Sequence, residues 1–77
     1  MNIKTVIPSQ NHILEVVFED GRAGRFDVTP YLNDEVFAPL KTPEHFQQIR
    51  NGGYFVEWAS GADLSADTIE AGLVSYS

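Results

Sequence analysis

The chain has 77 residues, no cysteine, and 11 acidic against 5 basic side chains, for a formal net charge of -6. This length predicts one domain over residues 1–77 with a thin core, because so short a chain hides only about 60% of its unfolded surface. The missing cysteines exclude disulfides, thiolate zinc sites and thiol nucleophiles, and an acidic chain with scattered basic residues repels the phosphates of nucleic acids.

The first predicted element is a strand over residues 2–7, which is rich in β-branched side chains and is ended by Pro8. A second strand, over residues 12–19, alternates apolar side chains at period two. The turn after it, Glu19-Asp20-Gly21, suits a three-residue hairpin loop in which Gly21 takes the left-handed conformation.

This loop would fix the register of the first hairpin, setting Leu14 against Phe26 and Glu15 against Arg25. One face then becomes apolar, with Leu14, Val16, Phe18, Phe26 and Val28. The other face carries Glu15 and Arg25 as a pair of opposite charge. A two-residue Asp-Gly loop would instead mix charge into the apolar face, so we favour the three-residue loop.

Residues 29–47 lose the period of a strand and predict short helices. Thr29-Pro30 and Thr42-Pro43 each combine a capping side chain with a proline at the first helical position. We expect a helical turn after Pro30 and a short helix over residues 43–47 that buries Phe46.

The last third of the chain predicts a second hairpin and a final helix. Asn51-Gly52-Gly53 is the expected turn between strands at residues 48–50 and 54–58, and Ser60-Gly61 ends the second strand. Ser65 then caps a helix whose Ile69 and Leu73 face the core. The whole order predicts an α+β fold: an antiparallel sheet of about five strands in two hairpins, with two or three short helices.

Several motifs in this order resemble one bacterial family, the domain of unknown function 2442. They are Glu19-Asp20-Gly21, Phe26-Asp27-Val28, Phe37-Ala38-Pro39-Leu40, Phe46 and the run from Trp58 to Leu64. The run at Trp58 is the most specific, although Ser65-Ala66 replaces a proline that such proteins often have there. The resemblance implies a small bacterial α+β domain without an established activity. Some members lie beside a second small protein, in an arrangement suggestive of a toxin–antitoxin pair.

Trp58 and Asp63 are the most distinctive candidate binding residues. They could form a surface site in which the Asp63 carboxylate lies beside an aromatic platform. The alternative is structural, with Trp58 as a core anchor and Asp63 in turn chemistry, and we favour it because turn chemistry accounts for every residue of the run.

Further candidates are aromatic side chains beyond the number that one small sheet face can bury: Tyr31, Phe37 and Tyr54, together with Phe55. An exposed aromatic patch is typical of a protein interface. Lateral packing of residues 31–40 over the sheet is the alternative. A strand at the edge of the sheet, over residues 2–7, would be a second interface.

No catalytic or metal-binding pattern is present in the sequence. His12 and His45 lack the spacing of metal ligands, and we expect both side chains in solvent. No serine stands in a nucleophile motif, and Gly52-Gly53 is followed by neither lysine nor a helix. We therefore expect no catalytic residue, no metal and no cofactor.

These observations predict a non-enzymatic protein-interaction or regulatory module that binds a partner protein or a second copy of itself. The alternative is a small-ligand or metal-binding domain that uses the segment from Trp58 to Asp63. The sequence has neither a membrane-spanning apolar stretch nor the apolar run of a signal peptide, so we expect a cytoplasmic protein.

Overall fold

The computed structural model describes residues 2–76, so residues 1 and 77 of the predicted domain lie outside the description. The strands are β1 (Ile3–Pro8), β2 (Ile13–Phe18), β3 (Ala23–Asp27), β4 (Ile49–Asn51), β5 (Phe55–Trp58), β6 (Asp63–Ser65) and β7 (Val74–Ser75). The helices are α1 (Pro43–Phe46) and α2 (Ala66–Gly72), with short 3₁₀ turns at Gln10–His12, Thr29–Tyr31 and Ala38–Lys41. The predicted α+β class is confirmed.

The strands form two antiparallel sheets rather than one. The first sheet has the order β1-β2-β3-β7 and the second has the order β4-β5-β6. Two short strands, β6 and β7, raise the number above the predicted five or so. The sheets adjoin where the Ile3 N–H donates to the Gly53 carbonyl at 2.8 Å, but β1 and β4 do not continue this contact as a ladder.

The register predicted for the first hairpin is confirmed. Leu14 pairs with Phe26 and Glu15 pairs with Arg25, and Gly21 closes the loop at φ 95°. The five side chains expected on the apolar face are all buried. On the opposite face, the phenol of Tyr76 lies beside the charged pair: its hydroxyl donates to Glu15 Oε1 at 3.0 Å, and its ring centroid is 5.5 Å from the Arg25 guanidinium carbon.

The turn of the second hairpin lies one residue later than predicted. The Gly52 N–H donates to the Phe55 carbonyl at 2.8 Å, which leaves Gly53 and Tyr54 as the two loop residues. Gly53 has φ 86°, the left-handed conformation that the first loop position of such a tight hairpin requires. The strand expected to begin at Tyr54 therefore begins at Phe55.

Ser60-Gly61 reverses the chain instead of only ending a strand. The Trp58 N–H donates to the Ala62 carbonyl at 2.8 Å and Gly61 has φ 100°, which is the three-residue loop of the first hairpin built a second time. This turn adds β6 to the sheet and was not predicted.

Only one of the three predicted caps forms through its own side chain. Ser65 Oγ accepts from the Thr68 N–H at 3.1 Å and begins α2 as expected. Thr42 makes no such bond, and Thr29 is the first residue of its turn, with Val28 at the N-cap position. Asp27 caps the Thr29–Tyr31 turn instead, because its carboxylate accepts from the Thr29 N–H at 2.9 Å.

A single apolar cluster lies between the sheets, the helices and the segment at residues 31–46. Its largest fully buried side chains are Trp58, Phe18, Leu14, Leu40, Ile69, Val16, Val28 and Val56. Phe46 is buried as predicted, Ile69 is fully buried, and Leu73 packs partly buried against the cluster.

Candidate functional site

Trp58 is an interior residue of the second sheet. Its side chain is 1% exposed, and its indole N–H donates to the Phe46 carbonyl at 2.9 Å. The rings of Phe46 and Phe37 lie 6.0 Å and 6.2 Å from it, centroid to centroid. The indole therefore shows solvent no face on which a ligand could stack.

Asp63 lies on the exposed face of β6, and no hydrogen bond to its carboxylate is present in the described part of the chain. It pairs across the ladder with Glu57, which accepts from Arg50 at 2.6 Å. The side chains of Arg50, Glu57 and Asp63 thus form a charged row across the second sheet. Trp58 is the neighbour of Glu57 and points to the opposite, buried face, so the structure does not bring Trp58 and Asp63 together.

Tyr31 and Phe37 pack laterally over the sheet, which was one of the two alternatives for the surplus aromatics. Phe37 is 8% exposed and Tyr31 is half-buried. The ring of Tyr31 lies 5.9 Å from Phe26 and 5.5 Å from Phe37. These contacts join the segment at residues 31–40 to the core.

Tyr54 and Phe55 remain exposed at the tip of the second hairpin. Tyr54 is 70% exposed because it is a loop residue, and Phe55 is 37% exposed on the outer face of β5. Of the candidate binding residues named from the sequence, Tyr54, Phe55 and Asp63 are exposed: Tyr54 lies in the loop, Phe55 on β5 and Asp63 on β6.

The outer edge of β1 offers unpaired backbone groups. The Ser9 N–H donates to the Ile13 carbonyl at 2.7 Å, and Ile7 pairs with Glu15. Because the hydrogen bonds of an antiparallel strand alternate between its two edges, the N–H and C=O of Val6 and the C=O of Pro8 point away from β2. No hydrogen bond from another described segment reaches these groups.

The same edge is occupied at its other end. Asn51 Nδ2 donates to the Ile3 carbonyl at 2.9 Å and to the Lys4 carbonyl at 3.3 Å, beside the bond from the Ile3 N–H to Gly53. The register also shifts between Ile3 and Thr5. The open part of the edge is therefore the short stretch from Val6 to Pro8.

A cleft of about 440 Å³ begins where this open stretch ends. We call it the His12 cleft; its lining residues are Pro8, Ser9, Gln10, Asn11, His12, Pro43, Phe46 and Gln47. None of these side chains is an acid, lysine or arginine. The lining therefore combines an apolar floor with amide, hydroxyl and imidazole groups that can donate or accept hydrogen bonds.

The turn that forms one wall of this cleft has an unusual backbone. Asn11 and His12 both have φ 61°, a conformation in which asparagine and histidine are enriched among side chains with a Cβ. His12 was expected in solvent but is half-buried. Its Nε2–H donates to the Leu40 carbonyl at 2.9 Å, and its ring lies 5.1 Å from that of Phe46. Because a carbonyl oxygen can only accept a hydrogen bond, Nε2 of His12 must carry the hydrogen in this contact.

Sequence reasoning missed this cleft and placed His12 at the start of the second strand. The contacts that build the cleft join residues far apart in the chain, as His12 and Leu40 do. His45, the other histidine, is exposed as expected, and its Nδ1 lies 3.2 Å from the Pro39 carbonyl.

Three titratable groups with shifted pKa values lie outside the cleft. Bonds to the Glu70 carboxylate, and then to that of Asp20, raise the pKa of Arg22. The Arg22 N–H bonds to the Asp20 carboxylate at 3.0 Å and, with the Arg22 guanidinium, lowers the pKa of Asp20. Partial desolvation, and then the bond to Glu15, raises the pKa of Tyr76. Each shift arises from a contact at the surface: Asp20 and Arg22 lie at the loop of the first hairpin, and Tyr76 contacts Glu15 of β2.

Among residues 2–76, no three histidine, aspartate or glutamate side chains converge as metal ligands would. Within the same range no helix is long and apolar enough to cross a bilayer.

A family model described as "Protein of unknown function (DUF2442)" matches residues 3–75. No curated protein and no solved structure matches the chain. The family match agrees with the resemblance carried by the sequence motifs and extends over nearly the whole chain.

Proposed function

The chain belongs to the DUF2442 family of proteins of unknown function, and from its own geometry we propose that it is a non-enzymatic interaction module. Its partner is a protein that adds an extended segment to the edge of β1. The observation that carries this proposal is the unpaired backbone of Val6 and Pro8, which opens directly onto the His12 cleft. Strand addition is a common way for a sheet edge to bind a peptide.

The short open edge sets the scale of the interaction. Three backbone groups are available, and each hydrogen bond contributes a net of about 0.5–1.5 kcal/mol. Further affinity would come from the cleft, where an apolar or neutral polar side chain of the added segment meets the ring of Phe46 and the amides of Asn11 and Gln47. The edge thus supplies orientation, and the cleft supplies selectivity.

The net charge of -6 favours a basic partner protein, because opposite charge accelerates the encounter of two proteins. Such a partner would be the second member of a two-protein pair in the bacterial cytoplasm, with this chain as the antitoxin-like, regulatory member. A second copy of the chain, paired edge to edge through β1, is the competing occupant.

The test captures binding proteins from the native host with three forms of the chain: wild type, Val6→Pro and Val6→Ile. Proline removes the edge N–H without removing a bond to β2, whereas isoleucine preserves it. We expect the Val6→Pro variant to bind about five- to tenfold more weakly, which corresponds to one lost hydrogen bond. The Val6→Ile variant should bind like the wild type.

Two measurements make this test decisive. Thermal unfolding checks that Val6→Pro is still folded, and hydrogen exchange should show the Val6 amide becoming protected when the partner binds. Equal binding by all three forms, or no protection at Val6, would refute the edge as the site. Sedimentation without partner distinguishes self-association, which would give a dimer at micromolar concentration.

A second candidate function is small-ligand binding in the His12 cleft. Its volume lies within the range of about 300–1,000 Å³ that is usual for ligand pockets, which is the observation that favours it. A ligand at about 100 times its Kd should stabilise the fold by about 2.7 kcal/mol. A thermal-shift panel of uncharged metabolites checks this, and a ligand should perturb the amides of Asn11 and His12 while leaving Val6 unprotected.

A further inference from the structure

Asn51 holds the second hairpin against the first sheet with every polar atom of its side chain. Nδ2 donates to the carbonyls of Ile3 and Lys4 at 2.9 Å and 3.3 Å, and Oδ1 accepts from the Gly53 N–H at 2.8 Å. Together with the bond from the Ile3 N–H to the Gly53 carbonyl, these contacts form what we call the Asn51 clamp.

Asn51 is also the one asparagine of the sequence that precedes a glycine. Asparagine before glycine is the dipeptide in which the following backbone nitrogen most easily reaches the side-chain amide, because glycine has no Cβ to obstruct the approach. We propose that Asn51 is a site of spontaneous deamidation that the folded hairpin protects, and that its modification releases the edge of β1.

The reaction needs only water and a base. The Gly52 backbone nitrogen loses its proton and attacks Cγ of Asn51, so that a C–N bond forms while the bond from Cγ to Nδ2 breaks and ammonia leaves. Water then opens the resulting succinimide at either carbonyl. The products are aspartate, or isoaspartate with one additional carbon in the main chain. No electron transfer takes place.

The folded hairpin opposes this reaction in two ways. The Gly52 N–H, which must be deprotonated, is engaged with the Phe55 carbonyl at 2.8 Å. The Asn51 amide is held in the clamp and cannot turn its Cγ toward the glycine nitrogen. Deamidation therefore requires the hairpin to open first, and its rate should follow the open fraction.

Packing also explains why a reactive dipeptide occupies this turn. A Cβ added at Gly52 would lie 2.5 Å from the ring of Phe55, so a larger residue at this position would displace that ring. Glycine at this position lets the Phe55 ring pack directly over the turn.

The product cannot restore the two bonds that Nδ2 donates. A carboxylate has no N–H to donate, and at this position it would face the carbonyl oxygens of Ile3 and Lys4. Loss of the clamp would lengthen the open edge of β1 from Val6 back toward Ile3. The deamidation of Asn51 and the loss of its contacts to β1 do not depend on partner binding. Only the idea that the longer open edge binds a partner rests on the proposed function.

The experiment incubates the wild-type protein at mildly alkaline pH, with and without denaturing urea, and follows deamidation by intact mass and peptide mapping. Asn2, Asn11 and Asn33 are the internal controls because none of them precedes glycine. In urea we expect Asn51 to react well before the other three, with a mixture of aspartate and isoaspartate. In the folded protein the same site should react at least tenfold more slowly.

Two variants test the consequence. Asn51→Asp, which copies one product, should accelerate hydrogen exchange at the Ile3 amide, while exchange at Val16 in the centre of the first sheet stays slow. Asn51→Gln keeps an amide but forms no five-membered succinimide, so it should gain no mass at this position.

Two results would overturn the proposal: equal rates at Asn51 in folded and unfolded protein, or Ile3 exchange in Asn51→Asp like that of the wild type. If Asn51→Asp does not fold, the same exchange measurement on wild-type protein that has aged until half-deamidated decides the point. Failure of the Val6 experiment with success here would reject the docking role alone.

Discussion

At the scale of single residues, Trp58 connects three parts of the core. Its indole N–H donates to the Phe46 carbonyl, and its ring lies near those of Phe37 and Phe46. The residue thereby joins the second sheet to α1 and to the irregular segment at residues 31–40. This is the structural role, as a core anchor, that the sequence analysis favoured for Trp58.

Replacing Trp58 with phenylalanine should lower the free energy of unfolding by about 2–4 kcal/mol, because a cavity forms and the buried Phe46 carbonyl loses its donor. Tyr54→Phe is the matched control, since Tyr54 is 70% exposed, and it should change stability by less than about 0.5 kcal/mol. Urea unfolding followed by circular dichroism measures both. Equal, small effects of the two substitutions would contradict a core role for Trp58.

At the scale of elements, the hairpin of β5 and β6, which we call the third hairpin, uses the same loop as the first hairpin. Gly21 and Gly61 each occupy the last loop position, with φ of 95° and 100°, and an added Cβ would meet no atom within 4 Å at either site. The cost of a side chain there is therefore conformational rather than steric. This separates the two glycines from Gly52, where the ring of Phe55 fills the space.

Gly61→Ala should destabilise the protein by about 1–2 kcal/mol, the cost of a left-handed backbone for a residue with a Cβ. Gly21→Ala should cost a similar amount. Asparagine tolerates this conformation better, so Gly61→Asn should recover part of the loss. Thermal or urea unfolding of the three variants provides the measurement. A neutral Gly61→Ala would show that the third hairpin does not depend on this turn.

The same comparison explains which elements sequence patterns could predict. The first hairpin was predicted to its register because long alternating strands flank a glycine-ended loop. The third hairpin has the same loop, but β6 is only three residues long. Its last residue, Ser65, also caps α2, so the sequence was interpreted as the start of a helix and the strand was missed. Pairing over long distances, such as that of β7 with β3, leaves no local periodicity at all.

The candidate site was less predictable than the fold for a related reason. The Asn51 clamp joins residues 48 apart in the chain, and the bond from His12 to Leu40 joins residues 28 apart. Spacing along the sequence carries no information about such contacts. Of the aromatic residues singled out from the sequence, Trp58, Phe37 and Tyr31 contribute instead to the core, whereas Tyr54 and Phe55 remain exposed.

At the scale of the whole molecule, both sheets contribute to one core cluster. Val16 and Phe18 of the first sheet and Val56 and Trp58 of the second belong to the same set of buried side chains. The second sheet consists of strands of three or four residues, which is too little to be stable alone. The two sheets should therefore fold and unfold together.

This coupling predicts a single two-state transition for the 77-residue chain. The fluorescence of Trp58 monitors the second sheet, and the amide signal of Val16 monitors the first, so both should lose their native values at the same urea concentration. The calorimetric enthalpy should be about 50 kcal/mol at the thermal midpoint and should equal the van't Hoff enthalpy, since unfolding enthalpy is about 0.7 kcal/mol per residue. A Trp58 transition at lower urea than that of Val16 would show instead that the second sheet unfolds separately. Shared burial in one cluster would then not be enough to make the two sheets one cooperative domain.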